Sequence, residues 1–367
     1  MRPWSPERRI RVSLLGATGL VGQEIARKLE NHPWFELGAL AASPGSVGLR
    51  YGDAARGGAA GIPPALAGRR LVGCDPQQAV APIVFSALDA ATAREVEPEF
   101  ARAGALVVSN ASAHRMESDV PLLVPEVNPE ALSLLVTQRA QRGWSGGIVC
   151  NPNCVVAIVG LALAALHQRR RLRAASVTTL QSISGAGYPG VSALDLLGNV
   201  IPYIEGEEEK ITAELTKLLK LPEETPIGAQ VHRVPVPSGH LASVTAAFEE
   251  EIRPDDAEEW MRSWTGAPEA QGLPTLPVRP ILVSPGVDRP QPRLDLWAGD
   301  GMAVTVGRVR RDPVLGLRFV VLGHNLVRGA AGAAVANAEL VVRDQGSEIR
   351  GQGSEVSDEA LSLTPDP

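Results

Sequence analysis

The stretch "GGIVCNPNC" carries cysteines at positions 150 and 154, and the two sit in opposite chemical settings. Cys150 ends an apolar, strand-like run, where a free thiol behaves as a small buried hydrophobe. Cys154 follows Asn151-Pro152-Asn153, a turn with an asparagine to cap it, and opens the apolar run "CVVAIVGLALAALHQ". A thiol at a helix N-terminus faces the positive end of the dipole and unpaired amides, so its pKa is expected to fall and its thiolate to serve as a nucleophile. A packing cysteine fits such a turn as well; a partner base separates the two readings. The segment "VHRVPVPSGHLASVT" supplies His232, Arg233 and His240. His240 follows a glycine at a strand start, where an imidazole can project into a cleft as general acid and base, whereas His232 is expected to pack locally.

A second constellation is "LLGATGLVGQEI", with Gly16, Gly19 and Gly22 between a first strand and a helix. The spacing GxxGxxG is a variant of the dinucleotide fingerprint: glycines permit the tight turn, the approach of a pyrophosphate and close helix–strand packing. The amides of Thr18, Gly19, Leu20 and Val21 are expected to face phosphate from the helix N-terminus. After the second strand, "AASPGSVGLR" offers Ser43, Ser46 and Arg50 and no carboxylate for a ribose 2′-hydroxyl, which favours NADP over NAD.

These residues need a frame. Apolar runs "RVSLLGA", "FELGALAAS", "PIVFSALD", "ALVVSNAS" and "GGIVCNP" alternate with helix-like stretches, which predicts a doubly wound parallel sheet of Rossmann type. Beyond Cys154, β-branched runs such as "HLASVTAAF" and "LRFVVLGHN" around a few helices predict a second, α+β domain with a largely antiparallel sheet. The expected division is 1–152 for a dinucleotide-binding domain, 153–325 for a catalytic and dimerisation domain, 326–343 for a helix returning to the first domain, and 344–367 for a polar, disordered tail. "HQRRRLR" at 167–173 is expected to be a solvated connection.

Composition narrows the function class. The chain has 367 residues, 44% hydrophobic and 21% charged, with a formal net charge of −6. That is a soluble globular profile with no basic stripe for nucleic acid. No apolar segment has the length of a membrane span or the layout of a signal peptide, so a cytoplasmic location is expected. Three cysteines and scattered histidines support neither a disulfide framework nor a metal site.

The ordered set "GATGLVG", "SNASAHRM", "NPNC", "QSISGAGYPG", "EGEEEK", "HRVPVPSGH" and "GHNLVRGAAG" resembles aspartate-semialdehyde dehydrogenase, in particular its archaeal and fungal-like branch. The resemblance covers the chain to about position 344. It implies NADPH-dependent reductive dephosphorylation of L-aspartyl-4-phosphate to aspartate semialdehyde, as in lysine, threonine and methionine biosynthesis, with release of inorganic phosphate. It implies Cys154 as nucleophile, His240 for the proton and Gln181 to orient the acyl group. It further implies Arg233 on the substrate carboxylate, Glu207 on the amino group, and Lys210 and Arg115 on phosphate. Ser184, Gly185, Gly187 and Asn325 match segments beside the nicotinamide, and a homodimer or homotetramer is implied. In isolation "EGEEEK" reads as a solvated helix start. Two departures stand out: Val155 and Val156 replace small hydroxyl residues after the nucleophile, and Pro44-Gly45 replaces a basic residue between the serines, for which Arg50 can substitute. The rivals are a malonyl-CoA reductase, a more distant N-acetyl-glutamyl-phosphate reductase, and a non-catalytic NADP-binding paralogue.

Overall fold

The computed structural model describes residues 8–57 and 61–344; the expected tail from 345 onward lies outside the described residues. Six short strands, β1 (Ile10–Leu15), β2 (Phe35–Ala42), β3 (Val72–Gly73), β4 (Ile83–Ser86), β5 (Leu106–Ser109) and β6 (Gly147–Cys150), form an all-parallel sheet in the order β3-β2-β1-β4-β5-β6. β4, β5 and β6 are buried at every position, as strands covered on both faces must be. The order reverses between β1 and β4, where a doubly wound sheet opens its ligand crevice beyond the carboxyl ends of the strands. The glycine turn after β1 lies at this point.

The second sheet contains β7 (Leu172–Gln181), β8 (Ile227–Arg233), β9 (His240–Phe248), β10 (Ile281–Ser284), β11 (Val304–Asp312) and β12 (Gly316–Gly323), ordered β10-β11-β12-β9-β7-β8. β11–β12, β12–β9 and β9–β7 pair antiparallel while β10–β11 and β7–β8 pair parallel, so the sheet is mixed. Two crossovers make this so: the helix Glu207–Leu218 carries the chain from β7 to β8 in the same direction, and residues 285–303 do so from β10 to β11.

The helix Cys154–His167 joins the two sheets. It is apolar all round and buried from Val155 to Leu166, as a helix without a polar face must be. Its side chains share one core with Val84 and Val107 of the first sheet and Val177, Val244 and Phe319 of the second. At the C-terminal end a π-helical turn, Val327–Ala331, precedes a helix over 332–344. Ala334, Val335, Ala338 and Val341 of that helix pack with Val12, Leu14 and Ile25 in a second core. The run after His167 reverses the chain on the surface, with Gln168, Arg169 and Arg171 exposed.

Candidate active site

The turn before Cys154 is held by four asparagines and two carboxylates. Asn153 caps its helix by accepting from the Val155 amide at 2.8 Å, and its Nδ2 donates to Glu207 Oε1 at 3.0 Å. Asn151 donates to Asn110 Oδ1 at 2.8 Å and to the Ala330 carbonyl at 2.9 Å, and Asn337 donates to Asn151 Oδ1 at 2.7 Å. Cys150 is fully buried, which drives its thiol pKa upward. Cys154 is half-buried at the head of the helix. The expected lowering of its pKa is not what the site produces: the thiol is pushed up to about 12, first by burial and then by the Glu207 carboxylate. Arg115, the Val155 amide and Arg233 pull the other way without prevailing. Desolvating a thiolate beside a carboxylate costs more than one helix end returns.

The β ladder brings the partners together. Parallel register sets Gln181 at the end of β7 beside Arg233 at the end of β8, and antiparallel register sets Leu241 opposite Leu180, so His240 opens β9 at the same edge. All three side chains are buried. Gln181 Nε2 donates to Glu207 Oε1 at 3.1 Å, and Arg233 Nη1 donates to the Ser182 carbonyl at 2.7 Å. His240 Nδ1 accepts the Ser182 amide at 3.1 Å, and Ser182 Oγ lies 3.3 Å from the same nitrogen. Accepting an N–H fixes the neutral tautomer with its proton on Nε2, a buried atom without a partner. Burial, then Arg233, lowers the His240 pKa to about 3. A Cβ on Gly185 would come within 2.8 Å of both Arg233 Nη1 and His240 Cε1, so glycine here keeps the approach to both groups open. His232 is half-buried, with Nδ1 3.1 Å from the Thr179 carbonyl.

One helix face serves the whole site. Glu207 opens the helix Glu207–Leu218 after Gly206 in left-handed conformation, and Lys210, one turn on, is half-buried over Gly206. Two turns from Glu207, the buried Glu214 accepts from Arg115 Nη1 at 3.0 Å and, through its other oxygen, from the Asn153 amide. Lys217 donates to the carbonyls of Arg115, Glu117 and Val120 at 2.7, 2.7 and 3.0 Å. Neither Glu214 nor Lys217 stands out in the sequence as a site residue. The one signal for them is that the E-x-x-K spacing of Glu207 and Lys210 recurs in "ELTK" on the same face. Gly329 is equally inconspicuous: a Cβ there would lie 2.5 Å from Cys154 Cβ, so the π-turn packs directly against Cys154.

At the other end of the crevice the glycines divide their work. Gly16 has φ +72°, and a Cβ on it would strike the Ala87 carbonyl at 2.6 Å; one on Gly22 would strike the Gly16 carbonyl at 2.3 Å. A Cβ on Gly19 would meet nothing closer than 3.6 Å. The Gly19 amide, one of the four expected to face phosphate, closes the turn onto the Gly16 carbonyl at 3.2 Å. Tyr51 Oη and Gln23 Nε2 buttress the loop through the carbonyls of Ala17 and Thr18, both at 2.9 Å. Ser43 is exposed and Ser46 half-buried around a turn at Pro44–Ser46, with Arg50 exposed beyond it. This cradle fits a dinucleotide, and the described residues 43–50 after β2 carry no carboxylate to oppose a 2′-phosphate.

Ser184 and Asn325 are engaged inside the protein. Asn325 Nδ2 donates to Ser184 Oγ at 2.9 Å, while its Oδ1 accepts from the Gly239 amide at 2.8 Å and Ser182 Oγ at 3.2 Å. They lock the loops around His240. Gly187, with φ +70°, turns the chain, and a Cβ there would meet nothing within 4 Å. Among the described residues no group of three His, Cys, Asp or Glu side chains is placed to hold a metal ion, and no helix is long and apolar enough to cross a membrane.

Residues 11–135 match the family model for the semialdehyde dehydrogenase NAD binding domain, and residues 163–328 match that for the semialdehyde dehydrogenase dimerisation domain. An aspartate-semialdehyde dehydrogenase from Archaeoglobus fulgidus is 47% identical over 345 residues, 92% of this chain and 99% of its relative. The chain belongs to the aspartate-semialdehyde dehydrogenase family. A malonyl CoA reductase (NADP) from Metallosphaera sedula, 38% identical over 91% of this chain and 97% of its own, is a more divergent relative of this oxidoreductase family. The crystal structure of aspartate semialdehyde dehydrogenase with NADP from Candida albicans superposes with a TM-score of 0.82 at 37% identity, covering 91% and 98% of the two chains.

Proposed function

We propose that this protein reduces L-aspartyl-4-phosphate to L-aspartate 4-semialdehyde, and runs the reverse reaction with phosphate, through a thioacyl intermediate on Cys154. The observation that carries the reading is the clustering of residues from five separate elements: Glu207 accepts from Gln181 and from Asn153 beside Cys154, the charges of Glu207 and Arg233 act on the Cys154 thiol, and Gly185 lies against both Arg233 and His240. Its charges match the substrate: the Arg233 guanidinium suits the α-carboxylate, Glu207 the amino group, and Arg115 with Lys210 the phosphate.

Burial holds the thiol up most and the Glu207 carboxylate next; a substrate ammonium set against Glu207 cancels the second of these, so the correct amino acid eases formation of its own nucleophile. His240, its proton kept on Nε2 by the Ser182 amide, donates that N–H to the acyl oxygen, and the thiol proton passes to the phosphate that the sulfur displaces. Cys154 Sγ then bonds to the acyl carbon, the carbon–oxygen bond to phosphate breaks, and phosphate leaves with the bridging oxygen. Gln181 and the His240 edge hold the carbonyl in place. NADPH, when bound, would supply a hydride to the thioester carbon, and Cys154 is the group from which the resulting aldehyde separates, its sulfur restored. Thr18, Leu20 and Val21 would hold the cofactor's pyrophosphate, and Ser43, Ser46 and Arg50 its 2′-phosphate. The dimerisation-domain match supports assembly as a homodimer or homotetramer, and the biosynthetic role supports a cytoplasmic location.

The test is NADP reduction by aspartate semialdehyde in the presence of phosphate. Wild type turns over, and Cys154→Ser loses at least about a thousandfold in kcat. Faster turnover of malonyl-CoA with NADPH than of aspartate semialdehyde with NADP and phosphate would overturn the reading in favour of the thioester relative.

A further inference from the structure

We propose that Glu214 is a positioning residue for this reaction, an inference that rests on the function proposed above. Its carboxylate ties the phosphate-facing Arg115 to the turn that aims Cys154, so the two move as one unit. Glu214 is only 1% exposed, and a buried carboxylate persists only where its lone pairs are engaged. Its two oxygens take partners from different parts of the chain. Oε1 accepts from Arg115, on the loop after β5, and Oε2 accepts from the amide of Asn153, the cap of the nucleophile helix.

The rest of the geometry converges on the same coupling. Arg115 Nη2 is fixed on the Asn110 carbonyl at 2.7 Å, which leaves Nε, buried and unpartnered, as a donor available to an incoming oxyanion. Asn110 also binds Asn151, so the loop and the nucleophile turn meet at a second point. Lys217, three residues beyond Glu214, grips the backbone of the same loop at three carbonyls. One helix thus sets the distance between the group that binds the leaving phosphate and the sulfur that displaces it, and a displacement of about 1 Å at such a site can cost up to a hundredfold in rate.

The experiment is a kinetic double-mutant cycle with aspartate semialdehyde, NADP and inorganic phosphate, on Glu214→Gln, Arg115→Gln and the pair together. Glu214→Gln should lower kcat about tenfold and raise the KM for phosphate several-fold, with KM for NADP unchanged. The double variant should be no worse than Arg115→Gln alone, because Glu214 acts through its partner. Multiplying losses, or kcat and phosphate KM within twofold of wild type in Glu214→Gln, overturns the proposal. Should Glu214→Gln leave Arg115 uncompensated and fail to fold, the double variant, lacking both charges, decides by the same comparison with Arg115→Gln. Iodoacetamide labelling of Cys154 in these variants needs no turnover. If wild type fails to oxidise aspartate semialdehyde, the functional reading falls, and the labelling still decides on Glu214. A change of at least about fivefold in the double variant relative to Arg115→Gln overturns it; equal rates there, with a changed rate in Glu214→Gln, uphold it.

Discussion

The two ends of the crevice are built by different means. The cofactor loop is a local object: Gly16, Gly19 and Gly22 lie within one strand–turn–helix unit, and main-chain amides do its work. The proposed catalytic cluster is assembled from five segments between Cys154 and His240 plus a loop at Arg115, and its groups are charged or polar side chains. A local turn is governed by sterics, which a sequence displays. A distributed cluster is governed by burial and by neighbouring charge, and these depend on elements distant in the chain.

The largest expected effect tests the electrostatics. With its pKa pushed up to about 12, Cys154 stays protonated through the neutral range, so iodoacetamide alkylation should climb about tenfold per pH unit from 7 to 10. Removing the opposing carboxylate by Glu207→Gln should move that profile to lower pH. A plateau below pH 8 would mean that the helix end outweighs burial and that the two regions obey the same local rule.

Steric control of the cofactor loop predicts a contrast between its own glycines. Gly22→Ala forces a Cβ to 2.3 Å from a carbonyl oxygen and 2.9 Å from Ala17 Cα, both backbone, and should destabilise the fold by about 2–3 kcal/mol in denaturant unfolding. Gly19→Ala, with its nearest neighbour at 3.6 Å, should stay within about 0.5 kcal/mol of wild type. Equal losses at the two positions would remove the distinction.

The smallest effect concerns the one place where sterics enters the catalytic cluster. Gly185→Ala crowds side-chain ends of Arg233 and His240 and no backbone, so unfolding should change by less than about 1 kcal/mol. Steady-state kcat/KM should fall about tenfold as both groups shift. Unaltered kinetics would show that neither side chain needs its present position.

Much of the frame is legible in the order of residues. β1, β2, β4, β5 and β6 follow from apolar runs, because strands covered on both faces need them. The sense of pairing in the second sheet is not legible: β7 and β8 run parallel because a whole helix intervenes, and nothing inside either strand announces it. The site divides in the same way. Cys154 stands out through its asparagine turn and His240 through its glycine. Glu214 looks like any charge on a solvated helix until Arg115 and Asn153 are brought against it. Gly329 passes for a loop glycine until the π-turn sets it on Cys154.

The sequence by itself determined which groups are available: a cysteine in a capping turn, an imidazole at a strand start, glycines where a dinucleotide must come close, and a helix carrying acid and base at fixed intervals. Tertiary structure alone decided their chemical state. A helix terminus favours a thiolate only as strongly as its dipole reaches, whereas burial by packed elements and the carboxylate they bring beside the sulfur both oppose it. That is why the resting thiol is protonated in a turn that, read in isolation, promises an anion.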